Sequence, residues 1–189
     1  MCTPSHLFGD ICSLIALKKK DKYLILRHDV DTDSSTAEAQ WEIEKSLHVQ
    51  ATYFFRLSTI DFPLMRKLAQ TGCEVSYHYE EIAALAKEKC LITREEVQSQ
   101  MAYIRRRFME NLSSLRARTN LPMKTVAAHG DFVNRYLNMP NQEILNKSIR
   151  ERMGIVLEVY DNEFNQHVSS RHIDCAYPEF WKPFDPLKT

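Results

Sequence analysis

The sequence predicts an α/β fold in which parallel strands form a deformed or incomplete (β/α) barrel. Short apolar segments rich in β-branched and aromatic residues alternate with helical segments, and parallel strands need such crossover connections. Polar residues suited to chemistry follow the strands, as they do where sites form at the carboxyl ends of parallel strands. About five strands are recognisable, fewer than the eight of a complete barrel of about 250 residues. A doubly wound open sheet is the structural alternative.

The first strand-helix unit begins with the continuous apolar run Tyr23–Leu26, which is typical of a strand buried on both faces. A helix is predicted from Ala37 to Leu47. Ser34 or Ser35 is expected to cap it, because a serine hydroxyl can accept a hydrogen bond from a backbone N–H of the first turn. An acidic segment therefore separates the strand from the helix.

Two further units follow the same pattern. The β-branched and aromatic segment Ala51–Phe55 predicts a strand, and a helix follows over Pro63–Gln70, ended by Gly72. Glu74–Tyr79 predicts the third strand, and a helix over Glu81–Lys89 completes the unit.

The second half of the chain continues the alternation. A long helix is predicted from Thr93 toward Arg118, because Thr93 and Glu96 form the signature of a capping box. The remaining elements are a strand over Thr125–Ala128, a helix that follows Pro140 and Asn141 and ends near Arg152, and a strand over Ile155–Val159. The whole chain, residues 1–189, is interpreted as a single domain.

Composition narrows the classes of function. The 25 Lys and Arg residues balance the 25 Asp and Glu residues, so no positive field favours nucleic acid as a partner. Apolar runs fall well short of the ~18 residues that cross a bilayer, so no membrane partner is expected. The five cysteines are scattered without a C-x-x-C pair, so a disulfide framework is not expected. This pattern favours a location in the reducing cytoplasm. The sequence does not determine the oligomeric state. One alternative is that a partner chain completes the barrel.

Carboxylates cluster after the first strand, where Asp29, Asp31 and Asp33 are spaced two residues apart. In an extended segment this spacing directs all three the same way, so they repel one another unless a cation or a proton intervenes. A divalent metal ion is the simplest explanation. An Asp-rich turn that caps the next helix is the alternative.

Two histidines lie at or just after the carboxyl ends of later strands. Alternation in the third strand puts Ser76, His78 and Glu80 on one face, which suggests His78 as a metal ligand and Glu80 as a ligand or its hydrogen-bond partner. His129 lies at the end of the fourth strand beside Gly130. The alternatives are a buried structural histidine at position 78 and a simple glycine turn after His129. Glu158 and Asp161 lie at the fifth strand end.

Three segments together resemble the polysaccharide deacetylase family, also known as the NodB-homology hydrolases. They are Leu26–Asp31, Ala51–Phe55 and Gly72–Glu80, whose order and spacing are similar to the family's Asp-containing first motif, its Ala-Thr-Phe-Phe strand and its His-containing third strand. The resemblance covers roughly residues 22–82. It implies the deformed barrel of the glycoside hydrolase and deacetylase type, and metal-dependent deacetylation of an N- or O-acetylated sugar or polysaccharide precursor.

Residue by residue, the resemblance implies Asp29 as the general base, and Asp31 and His78 as ligands of a divalent metal ion, with zinc the expected ion. The family has adjacent aspartates, whereas Val30 separates them here, so the alternative is that Asp29 and Asp31 exchange these roles. The family's second metal histidine corresponds to Ile82, so Glu80 is the nearest replacement as a ligand. The chain also lacks the family's later motifs. His129, or alternatively His172, is the expected general acid.

Two other functions fit the same residues. A relative that has lost catalysis would bind carbohydrate without turning it over. Alternatively, the segment Asp31–Ser35 could form a phosphotransfer loop or a nucleotide-sugar metal motif.

Overall fold

A computed structural model describes residues 7–8, 23–166, 168–169 and 171, and within them the chain has an α/β architecture built on parallel strands. Strands β1 and β2 form a separate parallel pair, and β3 to β7 form a five-stranded sheet. The strands are β1 Leu7–Phe8, β2 Tyr23–Leu24, β3 Arg27–Val30, β4 Thr52–Phe55, β5 Glu74–Tyr79, β6 Thr125–Ala128 and β7 Leu157–Glu158.

Helices lie between successive strands of the main sheet, so that all five strands run in the same direction, and one further helix follows the last strand. They are α1 Ser34–Ser46, α2 Phe62–Gln70, α3 Glu81–Glu88, α4 Arg94–Ser99, α5 Met101–Thr119, α6 Phe132–Tyr136, α7 Lys147–Met153 and α8 Asn162–Asn165. Single 3₁₀ turns lie at Leu57–Thr59 and Asn141–Ile144. No helix in the described part of the chain is both long and apolar enough to cross a membrane.

The order of strands in the main sheet is the order of the chain, β3-β4-β5-β6-β7, with every pair parallel. The carboxyl ends of all five strands therefore lie at the same end of the sheet. A doubly wound sheet reverses its strand order at a switch point, and the described strands show no such reversal.

Alternation along the strands gives the sheet two different faces. One face contributes Tyr53, Phe55, Tyr77 and Tyr79 to the larger hydrophobic core, where they pack with residues of the helices. Phe108 of α5 supports this core, because its ring packs on the rings of Tyr77 and Tyr79, with centroids 6.1 and 5.1 Å away.

The opposite face carries a small apolar cluster and several polar side chains. Phe54, Ala127 and Val159 form the cluster. The hydroxyl of Ser76, fully buried on the same face, donates to the backbone carbonyl of Thr125. This is the face to which the alternation assigned His78, and it leads to the candidate site.

Local signals in the sequence located most element boundaries. The predicted capping box is confirmed, since Thr93 Oγ1 accepts from Glu96 N and Glu96 Oε2 accepts from Thr93 N. The single long helix is wrong, because the chain turns at Gln100 and divides into α4 and α5. With this turn Val97 and Met101 are both buried, so both helices pack on the core.

Three other boundaries differ from the prediction. The first strand of the main sheet begins at Arg27, four residues later than predicted, so Asp29 lies inside β3. The cap of α1 is Asp33 rather than Ser34 or Ser35, because its Oδ1 accepts from Thr36 N at 2.7 Å. The helix expected after Pro140 is a 3₁₀ turn followed by α7, which Asn146 caps.

Candidate metal centre

Three donor atoms meet at the carboxyl ends of β3, β5 and β6. His78 Nε2 lies 3.4 Å from Asp31 Oδ1, and His129 Nδ1 lies 3.3 Å from the same oxygen. The two histidine nitrogens are 3.3 Å apart. Asp31, His78 and His129, hereafter the triad, thus form a nearly equilateral triangle of ligand atoms.

The size of this triangle fits a small tetrahedral metal ion. Zinc binds histidine nitrogen and carboxylate oxygen at about 2.0–2.2 Å, and tetrahedral angles then separate the ligands by about 3.3–3.6 Å. The edges of the triad, 3.3 to 3.4 Å, lie in this range. Two imidazoles and one carboxylate could hold zinc or another transition metal with at least one coordination position left for substrate or water.

The hydrogen bonding of His78 directs its lone pair into the triad. Nδ1 lies 3.0 Å from the carbonyl oxygen of Ala127, which can only accept, so Nδ1 carries the proton and Nε2 is free to bind a metal. The imidazole is 2% exposed. Burial lowers its pKa despite the neighbouring carboxylates, and this favours the neutral form that metal binding requires.

Asp31 provides the accessible side of the triad. Its side chain is 43% exposed, whereas His129 is 13% exposed. Burial raises the pKa of Asp31, but the hydrogen bond from His129 and neighbouring positive charge, including that of Arg56, outweigh it, so the pKa is lowered. The carboxylate is therefore ionised near neutral pH and can be reached from solvent.

Asp29 lies in β3, close to the triad. Its Oδ2 accepts from Arg27 Nη2 at 2.6 Å and lies 3.7 Å from His78 Nε2. Its Oδ1 is buried and has no hydrogen-bond partner among the described residues. A buried carboxylate oxygen without a partner is costly, so the fold leaves a polar atom of Asp29 unsatisfied close to the triad.

Glu80 lies near the triad but is paired with a cation. Arg56 Nε and Nη2 donate to its two oxygens at 3.1 and 2.8 Å, and Arg56 Nη1 donates to the carbonyl of Asp31 at 3.1 Å. Glu80 also forms a wider group with His129 and Asp131, whose ligand atoms lie within 4.8 Å of one another. The tight triangle contains His129 in the place for which the sequence suggested Glu80.

The remaining candidate residues have structural partners. Asp33 caps α1, and its hydrogen bonds with Ser35 and Thr36 lower its pKa to about 2. Asp131 caps α6 and contacts Lys87. Of the three spaced carboxylates, Asp31 is thus a triad member, Asp29 its neighbour and Asp33 a helix cap. His172, the alternative acid, lies outside the described residues.

Asn141 and Glu158 hold the loop of His129, and neither has a role predicted from the sequence. Asn141 Nδ2 donates to the His129 carbonyl at 2.7 Å, while its Oδ1 accepts from Ile82 N at 3.0 Å. Glu158 accepts from Ala128 N at 2.9 Å and from Tyr160 N at 2.8 Å. The sequence contains one indication for Glu158, because it is a carboxylate at the end of a predicted strand. It contains no indication that Asn141 supports the site.

Glu158 should make the stability of the fold depend on pH. Burial raises its pKa to about 7 from an ordinary value of 4.5, although its two backbone hydrogen bonds oppose the shift. The unfolded chain ionises first, so the free energy of unfolding should fall as pH rises from 4.5 to about 7, by up to about 3 kcal/mol. We expect Glu158→Gln to remove this part of the pH dependence in urea denaturation. Parallel pH profiles for parent and variant would contradict it.

Comparison with protein-family models and with curated protein sequences gave no match.

Proposed function

We propose that this chain is a metal-dependent hydrolase that removes the acetyl group from an N- or O-acetylated sugar or polysaccharide precursor. The observation that supports it best is the triad of metal-ligand spacing with Asp29 beside it, whose Oδ1 has no hydrogen-bond partner among the described residues. The sugar as substrate class comes from the resemblance to the polysaccharide deacetylases. The proposal combines that resemblance with the geometry of the triad.

Asp31, His78 and His129 would hold the ion, with zinc the first choice for two nitrogen ligands and one oxygen ligand. When bound, such an ion supplies Lewis acidity, which polarises an acyl carbonyl and makes water more acidic. His129 Nδ1 lies 3.3 Å from Asp31 Oδ1. We therefore propose His129 as a metal ligand instead of the general acid suggested by the sequence.

Asp29 is the proposed general base. Arg27 holds the carboxylate through Oδ2, which lies 3.7 Å from His78 Nε2, and the carboxylate would take a proton from water as the water oxygen attacks the acyl carbon. The carbon–nitrogen or carbon–oxygen bond to the sugar then breaks, and protonated Asp29 is positioned to return the proton to the leaving atom. The products are acetate and the free sugar amine or alcohol.

A contact between the two edges of the sheet supports the proposal that its strands form part of a barrel. β3 and β7 are the two edges of the sheet, and four strand intervals of about 4.8 Å would separate them by about 19 Å in a flat sheet. Arg27 of β3 nevertheless donates to the hydroxyl of Tyr160, which follows β7, at 2.9 Å. Two side chains reach each other more readily if the sheet curls around this face, as barrel strands do.

Release of acetate tests the proposed function. Zinc-loaded protein would be incubated with 6-O-acetylglucose, tri-N-acetylchitotriose and 4-nitrophenyl acetate, with and without the chelator dipicolinate. We expect acetate from at least one sugar and loss of activity with the chelator, restored by zinc. Sugar binding without acetate release would favour the carbohydrate-binding alternative. Release that survives chelation would contradict the metal-dependent mechanism.

A further inference from the structure

Arg27 joins the proposed base to a tyrosine from the other edge of the sheet. Its Nη2 donates both to Asp29 Oδ2, at 2.6 Å, and to Tyr160 Oη, at 2.9 Å. The guanidinium carbon also lies 5.1 Å from the centroid of the Tyr160 ring. One nitrogen atom thus sets the positions of the carboxylate and the phenol together.

The hydrogen-bond roles in this group leave one donor free. A guanidinium can only donate, so the Tyr160 oxygen is the acceptor of the bond from Arg27. The phenol keeps its own proton, for which the described part of the chain offers no acceptor. Tyr160 is 36% exposed, so the hydroxyl can meet a bound molecule.

The hydrogen bonds of Arg27 relate this donor to the triad. In the proposed mechanism the acyl carbon would lie beside the triad and Asp29, where water can attack it. Tyr160 Oη is joined to Asp29 Oδ2 through Arg27 Nη2, and that carboxylate oxygen lies 3.7 Å from His78 Nε2, so the phenol lies within reach of a substrate held at the triad. A substrate held at the triad would therefore bring the part beyond its acetyl group to Tyr160.

We propose that Tyr160 is a specificity-determining residue, whose phenol O–H donates a hydrogen bond to a hydroxyl oxygen of the sugar that carries the acetyl group. The inference rests on the proposed function and deepens it. The donor is held in place before substrate binds, by Arg27 at the oxygen and by Glu158, which accepts from Tyr160 N at 2.8 Å. Such a donor favours substrates with a hydroxyl group over acetyl compounds that lack one.

The test is Tyr160→Phe, which keeps the ring beside Arg27 and removes the hydroxyl alone. Its matched control is Tyr103→Phe. Tyr103 lies on α5, is 37% exposed and has a guanidinium, that of Arg106, 5.3 Å from its ring centroid. The substrates are 6-O-acetylglucose and tri-N-acetylchitotriose, which have free sugar hydroxyls, and 4-nitrophenyl acetate, which has none.

We expect Tyr160→Phe to lower kcat/KM for the sugars by about tenfold, mainly through KM, because one hydrogen bond to the substrate is lost. Activity toward 4-nitrophenyl acetate and all activities of Tyr103→Phe should match those of the parent. Equal losses on sugar and ester, or no loss at all, would overturn the inference while the proposed function stands. A parent that releases acetate from neither sugar would overturn the proposed function and the inference with it.

Discussion

Replacing His78 by glutamine should abolish tight binding of a divalent metal ion. The imidazole Nε2 is one corner of a triangle with edges of 3.3 to 3.4 Å, and an amide is a much poorer ligand for zinc. The loss should exceed the 10–100-fold effect typical of residues that only support a ligand. Competition with a chromophoric chelator measures the dissociation constant directly. His129→Gln should have the same effect, because its Nδ1 is another corner.

His28→Gln provides the matched control for metal binding. His28 belongs to the same Asp-rich segment, but it lies on the other face of β3, where its Nε2 contacts Glu44 Oε1 at 2.5 Å and its ring packs on Tyr53. This variant should bind metal like the parent. If His78→Gln also binds like the parent while remaining folded by circular dichroism, the triad is not the metal site.

Asp29→Asn should lower acetate release by about 10²–10⁴-fold, the usual contribution of a general base, while metal binding is retained. The amide oxygen can still accept the hydrogen bond from Arg27 that now goes to Oδ2. The amide nitrogen would occupy the place of the unpartnered Oδ1 and cannot take a proton from water. Kinetics on the acetylated sugars, with zinc content measured on the same samples, separates catalysis from metal binding.

Asp33→Asn is the control for this second variant. Asp33 lies four residues further along the same segment and caps α1, and asparagine is an equally good N-cap residue. Its activity should remain close to that of the parent. Unchanged kcat in Asp29→Asn would exclude Asp29 as the base, and loss of zinc from that variant would identify it as a ligand.

Much of the fold follows from patterns within single segments. Apolar segments such as Thr125–Ala128 and the capping box at Thr93 depend on neighbouring residues, so the sequence located them. The turn at Gln100 depends on how α4 and α5 pack together on the core. That packing leaves no local signal, so the sequence predicts one long helix instead.

The candidate site was predictable where strand ends determine it. Asp31 and His78 come together because the carboxyl ends of parallel strands lie at the same end of the sheet. The distance of 3.4 Å between His78 Nε2 and Asp31 Oδ1 agrees with that reasoning. The pairing of Glu80 with Arg56 joins residues that follow two different strands. Nothing near either residue in the sequence indicates this ion pair. The sequence therefore could not show that His129, and not Glu80, is the third member of the triad.

The most direct test of the metal centre is X-ray absorption spectroscopy at the zinc edge, on protein loaded with one equivalent of zinc and desalted. We expect a first shell of nitrogen and oxygen atoms at about 2.0–2.2 Å, with the outer-shell scattering of two imidazole rings, one of which disappears in His129→Gln. A sulfur shell at about 2.3 Å would place the ion on cysteine. That result, or protein that retains no zinc, would contradict a metal centre formed by Asp31, His78 and His129.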